Sequence, residues 1–331
     1  MQTQVGIIGT GWVTEQHLAA LKKIEDVRVA AIAGRNVERV QQLAGANNAT
    51  AYTVYREMLA NEKLNAVFIL LPPDAHGEVE MACTEAVPAL LIEKPVSNDL
   101  AQAEKIGAFF RERKTLTAVG YMNRYRKSVQ RAAALFAEHT PILANGWWVT
   151  QMPPVAWWKD MSRSGGQFVE QCTHLVDLAR ALMGEIVEVQ AFSARGFIRD
   201  VPGYTNDDAV TVNVKFASGA IGNFTTGAFP LNGTDKNGIG LTVSARDLKC
   251  EFTGWGMELE MTLGGGRSEK ILSEENIFEI QNRTFLRAVR ENNPALILSG
   301  YDDGIRNLAI GLAANRSIQS GRSVKIPLIH R

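Results

Sequence analysis

The chain has 331 residues, 46% apolar and 21% charged, and its 35 Lys and Arg balance 35 Asp and Glu to a formal net charge of zero. At roughly 150 residues per domain this is length for two globular domains, and the balanced charge argues against a nucleic acid or an anionic membrane surface as partner. Three widely spaced cysteines, Cys83, Cys172 and Cys250, offer neither metal-ligand spacing nor a disulfide framework, so reduced thiols in a cytoplasmic protein without a structural metal are expected.

The N-terminus runs straight into a strand-like segment, without the basic and apolar stretches of a secretory signal. The first third then alternates two patterns. Short apolar runs at Val5–Ile8, Val27–Ala33, Ala66–Leu71, Ala89–Ile92 and Leu116–Val119 read as strands. All fall far short of the ~20 residues of a membrane span. Between them, Glu15–Ile24, Val37–Leu43, His76–Ala86 and Leu100–Arg113 read as helices, the last capped by Asp99. Strands alternating with helices predict a parallel sheet covered on both faces.

After Tyr125 the pattern changes. A helix over Lys127–Glu138 leads to a strand over Ile142–Gln151, a Trp- and Pro-rich connection holding Trp157 and Trp158, and a helix over Phe168–Met183 closed by Gly184. Strands then follow on short turns: Ile186–Arg195, Ala209–Phe216, Ala220–Ala228, Gly240–Ser244, Leu248–Phe252 and Met257–Leu263. Consecutive strands on short turns predict a mainly antiparallel sheet. Helices over Phe278–Arg290 and Asp302–Ser320 and a strand at Val324–Ile326 end the chain. The expected fold class is α/β, with a dinucleotide-binding domain over residues 1–124 and an α+β domain with an open-faced sheet over 125–331.

The first strand ends in Gly6-Ile-Ile-Gly9-Thr10-Gly11-Trp12-Val13-Thr14 and opens a helix. Gly9 suits the tight turn, and Gly11 lets a pyrophosphate approach the backbone at a helix N-terminus. Thr14 stands where the fingerprint has its third glycine. The acid expected about 20 residues later for a ribose hydroxyl is missing. The second strand ends in Gly34-Arg35-Asn36. Without a carboxylate to repel it, a 2′-phosphate could pair with Arg35, which favours NADP over NAD.

In such a sheet ligands sit outside the carboxyl ends of the strands. Unusual residues cluster there: Leu71-Pro72-Pro73-Asp74-Ala75-His76 after the third apolar run, Glu93-Lys94-Pro95 after the fourth, and Asn123 and Arg124 after the fifth. A lysine fixed at a strand end can steady a developing alkoxide. Farther on, Ser164-Gly165-Gly166 leads into a helix carrying Glu170, His174 and Asp177 on one expected face. His174 suits general acid–base work, with Glu170 tuning it. Asn123, Arg124, Asp177 and one indole of the Trp157–Trp158 pair, Trp158 by preference, are the expected substrate contacts.

These residues resemble the Gfo/Idh/MocA oxidoreductases. The resemblance rests on Gly6-x-x-Gly9-x-Gly11 followed by His17, Pro72-Pro73-x-x-His76, Glu93-Lys94-Pro95, Gly165-Gly166 followed by Glu170-x-x-x-His174-x-x-Asp177, and the closing segment Ala314–Val324. It implies a Rossmann domain and an open-faced antiparallel sheet, with Lys94 and His174 as the catalytic pair. It also implies a sugar, polyol or keto-sugar substrate. The position of Glu170 is commonly aspartate in that family, and Gln171-Cys172 replaces an apolar-glycine pair. The expected cofactor contacts are Gly9, Thr10, Gly11, Trp12, Val13, Gly34, Arg35, Leu71, Pro72, His76, Glu93 and Lys94. A homo-oligomer through the open sheet face is expected. Two other functions remain open at this point: a dinucleotide-sensing regulator without turnover, and a redox-neutral enzyme that oxidises its substrate transiently.

Overall fold

A computed structural model describes residues 2–229, 238–273 and 276–328. The chain runs β1 (Thr3–Ile8), α1 (Trp12–Leu21), β2 (Val27–Ala33), α2 (Val37–Gly45), β3 (Thr50–Tyr52), α3 (Tyr55–Asn61), β4 (Ala66–Ile69), α4 (Glu78–Ala86), β5 (Ala89–Ile92), α5 (Leu100–Arg113) and β6 (Leu116–Val119). It continues with α6 (Lys127–Phe136), β7 (Leu143–Thr150), α7 (Met161–Ser164), a π-helical segment at Phe168–Cys172, and α8 (Thr173–Met183). Then come β8 (Ile186–Ala194), β9 (Ala209–Phe216), β10 (Ile221–Ala228), β11 (Ile239–Ser244), β12 (Leu248–Thr253), β13 (Glu258–Leu263), β14 (Arg267–Ile271), α9 (Ile277–Glu291), α10 (Tyr301–Ser320) and β15 (Val324–Lys325).

Two compact units result, residues 1–122 with 276–305, and residues 123–275 with 306–331. The first holds a parallel six-stranded sheet in the order β3-β2-β1-β4-β5-β6. That is the doubly wound order of dinucleotide-binding sheets, with its switch point between β1 and β4. Its central strands β4 and β5 are apolar and buried along their length because helices cover both faces. Val5, Ile7, Ile32, Phe68 and Leu91 are buried in its core.

The expected boundary at residue 124 assigns everything after it to one domain. Instead α9 packs with the first unit, since Phe285 meets Phe68 edge-on at 5.5 Å and Phe278 meets His17 at 5.2 Å. The amphipathic spacing of α9 announces a buried face but not which core receives it.

The second unit holds a nine-stranded sheet in the order β14-β13-β12-β11-β7-β10-β9-β8-β15. Its pairings are antiparallel except for β7 with β10, which run parallel. One face packs on α8, burying Leu175, Val212, Phe224, Leu241 and Phe252. Two strands escaped the sequence reading. The three-residue β3 and the polar β14 are edge strands, and an edge wetted on both faces carries no apolar alternation. Among the described residues no helix is long and apolar enough to cross a membrane.

Candidate active site

In the first unit the loop after β1 is shaped by a close approach. Gly9 has φ +121°, and a Cβ there would lie 2.1 Å from the Leu70 carbonyl oxygen, where β1 and β4 diverge. Only glycine fits that turn. Gly11 caps α1, and the space a Cβ would enter is empty to 4 Å. The open N-terminus of a ten-residue helix at a switch point fits a dinucleotide pyrophosphate. Thr14 explains the departure from the glycine fingerprint. Its buried hydroxyl donates to the Gly9 carbonyl at 3.1 Å and closes the turn from inside.

Thr10, Gly11, Trp12, Val13, Leu71 and Pro72 are exposed or half-buried around this loop. Arg35 is exposed at the end of β2, while Asn36 is committed to capping α2 through the Arg39 amide at 2.8 Å. Gly34 is half-buried under Thr10, whose Cγ2 would lie 2.6 Å from an added Cβ.

Two residues expected to touch cofactor are turned inward. The His76 ring is fully buried, with Nδ1 2.5 Å from Glu80 Oε1, and Glu80 Oε2 accepts the Gly77 amide at 2.6 Å. This pair fixes the entry to α4. Glu93 is likewise occupied within its unit. Oε1 lies 3.3 Å from His17 Nε2, whose Nδ1 meets Asn282 Oδ1 at 2.9 Å, and Oε2 accepts the Lys94 amide at 3.1 Å. Gly120 leaves the room for this carboxylate, since a Cβ there would stand 2.7 Å from Oε2. Glu93 therefore anchors the backbone of Lys94, which is half-buried at the carboxyl end of β5 with a cis peptide to Pro95.

In the second unit the helix expected over Phe168–Met183 is not uniform. Gly165 and Gly166 both take positive φ, and Phe168–Cys172 is wound as a π-helix before α8 begins. Single π turns concentrate at functional sites. Glu170 lies in this segment, and His174 is the second residue of α8.

Trp158 donates its indole N–H to Glu170 Oε2 at 2.8 Å and is only 1% exposed. Trp158, expected as a substrate contact, is thus placed in the interior with its indole N–H engaged by Glu170. His174 lies flat against Trp148 of β7, with centroids 5.7 Å apart at 20°. Trp255, in the turn between β12 and β13, stands edge-on to both rings, at 6.5 Å from His174 and 6.1 Å from Trp148. Neither tryptophan was singled out from sequence, because each is distant from His174 along the chain and no local pattern links them.

Arg124 and Asp177, expected as substrate contacts, bind each other. Arg124 donates through Nε and Nη2 to the two Asp177 oxygens at 2.8 and 2.6 Å, and Asn307 Nδ2 donates to Oδ1 at 2.7 Å. Arg180 extends the chain of charges, donating to Asn307 Oδ1 at 2.9 Å and forking onto Glu185 at 2.9 and 3.0 Å. Burial pushes the Glu185 carboxyl up, but Arg180 and Arg306 outweigh it and hold it below its usual range. Asn123 is buried with its Oδ1 taken by Arg126 Nε at 2.8 Å, leaving its amino group as the available donor. Among the described residues no group of three or more His, Cys, Asp or Glu could hold a metal ion.

Residues 3–121 match the model of the oxidoreductase family with an NAD-binding Rossmann fold, and residues 140–243 match the GFO/IDH/MocA C-terminal domain. Myo-inositol 2-dehydrogenase of Thermotoga maritima is 25% identical over 335 residues, 98% of each chain. Inositol 2-dehydrogenase of Rhizobium meliloti is 24% identical over 344 residues, 98% of this chain and all of that one. Levoglucosan dehydrogenase in complex with NADH has the same fold, with a TM-score of 0.87 at 19% identity over 99% of this chain and 100% of that one. The glycine turn at the switch point, the Glu-Lys-Pro strand end and the Gly-Gly helix thus stand in a chain that belongs to the Gfo/Idh/MocA family of NAD-binding oxidoreductases.

Proposed function

We propose that this protein is an NAD(P)-dependent dehydrogenase that exchanges a hydride with a secondary alcohol, or the matching ketone, of a sugar or cyclitol. The observation that carries the reading is the anchoring of Lys94 at the carboxyl end of β5, through the carboxylate of its own neighbour Glu93. A bound nicotinamide would supply the hydride acceptor or donor. Lys94 steadies the substrate oxygen as charge develops on it. His174 takes or returns the hydroxyl proton, and Glu170, fixed by Trp158, orients it. The inositol dehydrogenases similar over nearly the whole chain support the substrate class. The pairing of Arg124 with Asp177 also favours a neutral polyol over a phosphorylated or carboxylated analogue, because this cation is already matched.

The cofactor reading is NADP(H) at least as tight as NAD(H). The end of β2 offers Arg35 and no acid, and Asn36 is used as a helix cap. The outer sheet face brings Leu143 and Ile221 side by side and exposed, a start for a homodimer contact.

The decisive assay is net formation of reduced dinucleotide over a panel of cyclic and acyclic polyols. His174→Ala and Lys94→Ala should each lower turnover by roughly 10²–10⁴-fold, with a smaller effect on dinucleotide affinity. A redox-neutral reaction would leave the dinucleotide unchanged at steady state, and a sensor would bind without turnover. Either result removes this reading. A clear NAD preference that survives Arg35→Ala removes the cofactor assignment alone.

A further inference from the structure

Trp255 is a large aromatic that the packing of its own unit does not cover. It is 45% exposed, although it stands within ring-contact distance of His174, which is buried. The indole does not sit there by default. Its turn uses Gly254 at φ +69° and Met257 at φ +50°, the latter a conformation that side chains rarely adopt. A buried arginine holds that turn in place. Arg126 is 1% exposed and donates from Nη2 to the Trp255 carbonyl at 3.0 Å, from Nη1 to Ser273 at 2.8 Å and from Nε to Asn123 Oδ1 at 2.8 Å. One guanidinium thus fixes both the carbonyl of Trp255 and the orientation of the Asn123 amide. Across the turn, Trp148 meets Trp255 at 86° and lies flat on His174, so the three rings form a corner with one wall in solvent.

We propose that Trp255 is the ring-binding wall of the substrate site. Its indole face takes the C–H face of a cyclic polyol beside His174, and the Asn123 amino group donates to a ring hydroxyl. An indole presents apolar area to axial C–H bonds while hydroxyls reach outward to polar groups. Trp148 belongs to the same corner as a positioning residue, since its ring is buried and it reaches a substrate only through His174. The subsite rests on the proposed function for the identity of the ring, and it adds a preference: rings are favoured over open chains of the same composition.

The test compares wild type, Trp255→Ala and Trp255→Phe with myo-inositol and with the open-chain polyol sorbitol. Binding is measured by calorimetry in the presence of dinucleotide, and turnover by dinucleotide reduction. Trp255→Ala should weaken myo-inositol binding and raise its KM about tenfold, the scale of one aromatic face, with a smaller change in kcat. Trp255→Phe should recover part of the loss, sorbitol should change little, and dinucleotide affinity should be unaltered. Wild-type binding of myo-inositol that is lost in Trp255→Ala supports the subsite even without turnover, in which case the dehydrogenase reading falls alone. Equal KM and Kd for myo-inositol in wild type and Trp255→Ala overturn the subsite, and turnover of either polyol would then leave the dehydrogenase reading standing. Failure of wild type to bind myo-inositol overturns the subsite too. Burial of Trp255 against a second copy of the chain, seen as a shift from dimer to monomer in Trp255→Ala with unchanged KM, also overturns it.

Discussion

Removing Arg124 should cost stability rather than substrate affinity. Asp177 is 1% exposed and Arg124 11%, and the guanidinium covers both carboxylate oxygens. Arg124→Leu leaves a buried carboxylate with one neutral donor, Asn307, and a second cation, Arg180, 4.0 Å away. Deleting one member of a buried pair typically costs about 3–5 kcal/mol, and these two residual partners place the expected loss near the lower end, about 3 kcal/mol. For a unit of this size that is a fall in Tm of roughly 6–12 °C. The double variant Arg124→Leu/Asp177→Leu should recover most of it, since an apolar pair of similar volume replaces a buried ion pair at little net cost. Arg180 keeps its fork on Glu185 in both variants. Thermal unfolding followed by near-ultraviolet circular dichroism gives the comparison, with KM measured alongside. A single variant that melts within about 2 °C of wild type but shows a raised KM would return Arg124 to the substrate and refute the assignment.

Three further outcomes follow from the same contacts. Gly120→Ala places a Cβ 2.7 Å from Glu93 Oε2 and should displace the acceptor that holds the Lys94 amide, lowering kcat by roughly tenfold for one charge-assisted hydrogen bond; dinucleotide titration should stay near wild type. Trp158→Phe leaves a small cavity and removes the indole donor to Glu170, so Tm and kcat should both fall, and an unchanged kcat measured well below the melting range would make the bond merely structural. Glu185 is held below the ordinary carboxyl range, so its contribution to stability is present above the unfolded value near 4.3 and is lost as pH falls through the folded value; acid melts of Glu185→Gln should therefore lie below wild type at neutral pH and converge with it in acid.

The Rossmann half was legible because its signals are local. A buried parallel strand is an apolar run, a phosphate turn is a glycine pair, and Asp99 announces α5 by accepting the Ala101 amide at 2.9 Å. The edges of both sheets were not legible, since β14 exposes four of its five residues and carries no alternation. Nor was the π winding at Phe168–Cys172, which has no local residue signature and interrupts the helix expected over Phe168–Met183. The residues around His174 were least legible of all. Trp148 and Trp255 come from a strand and a hairpin far from it in sequence, and only the folded sheet brings the three rings together.

The acids that sequence reading marked as functional share one physical fate. Glu93 is held by His17 and the Lys94 amide, Glu170 by the Trp158 indole, and Asp177 by Arg124 and Asn307. Each of these buried carboxylates accepts from at least one donor of its own unit, as a buried charge requires. A carboxylate so engaged contributes geometry more than reactivity. It fixes a backbone, a helix turn or a neighbouring cation, and a substitution that keeps its size but weakens its acceptor strength should lower turnover without abolishing it. In the proposed reaction the chemistry falls to Lys94 and His174, whose loss would remove the oxygen contact and the proton acceptor themselves. On this division Glu93→Gln and Glu170→Gln should retain measurable turnover at conditions where Lys94→Ala and His174→Ala show almost none, as expected when a positioning bond of about 1.5–3 kcal/mol is compared with general acid–base and electrostatic terms of roughly 10²–10⁴-fold each.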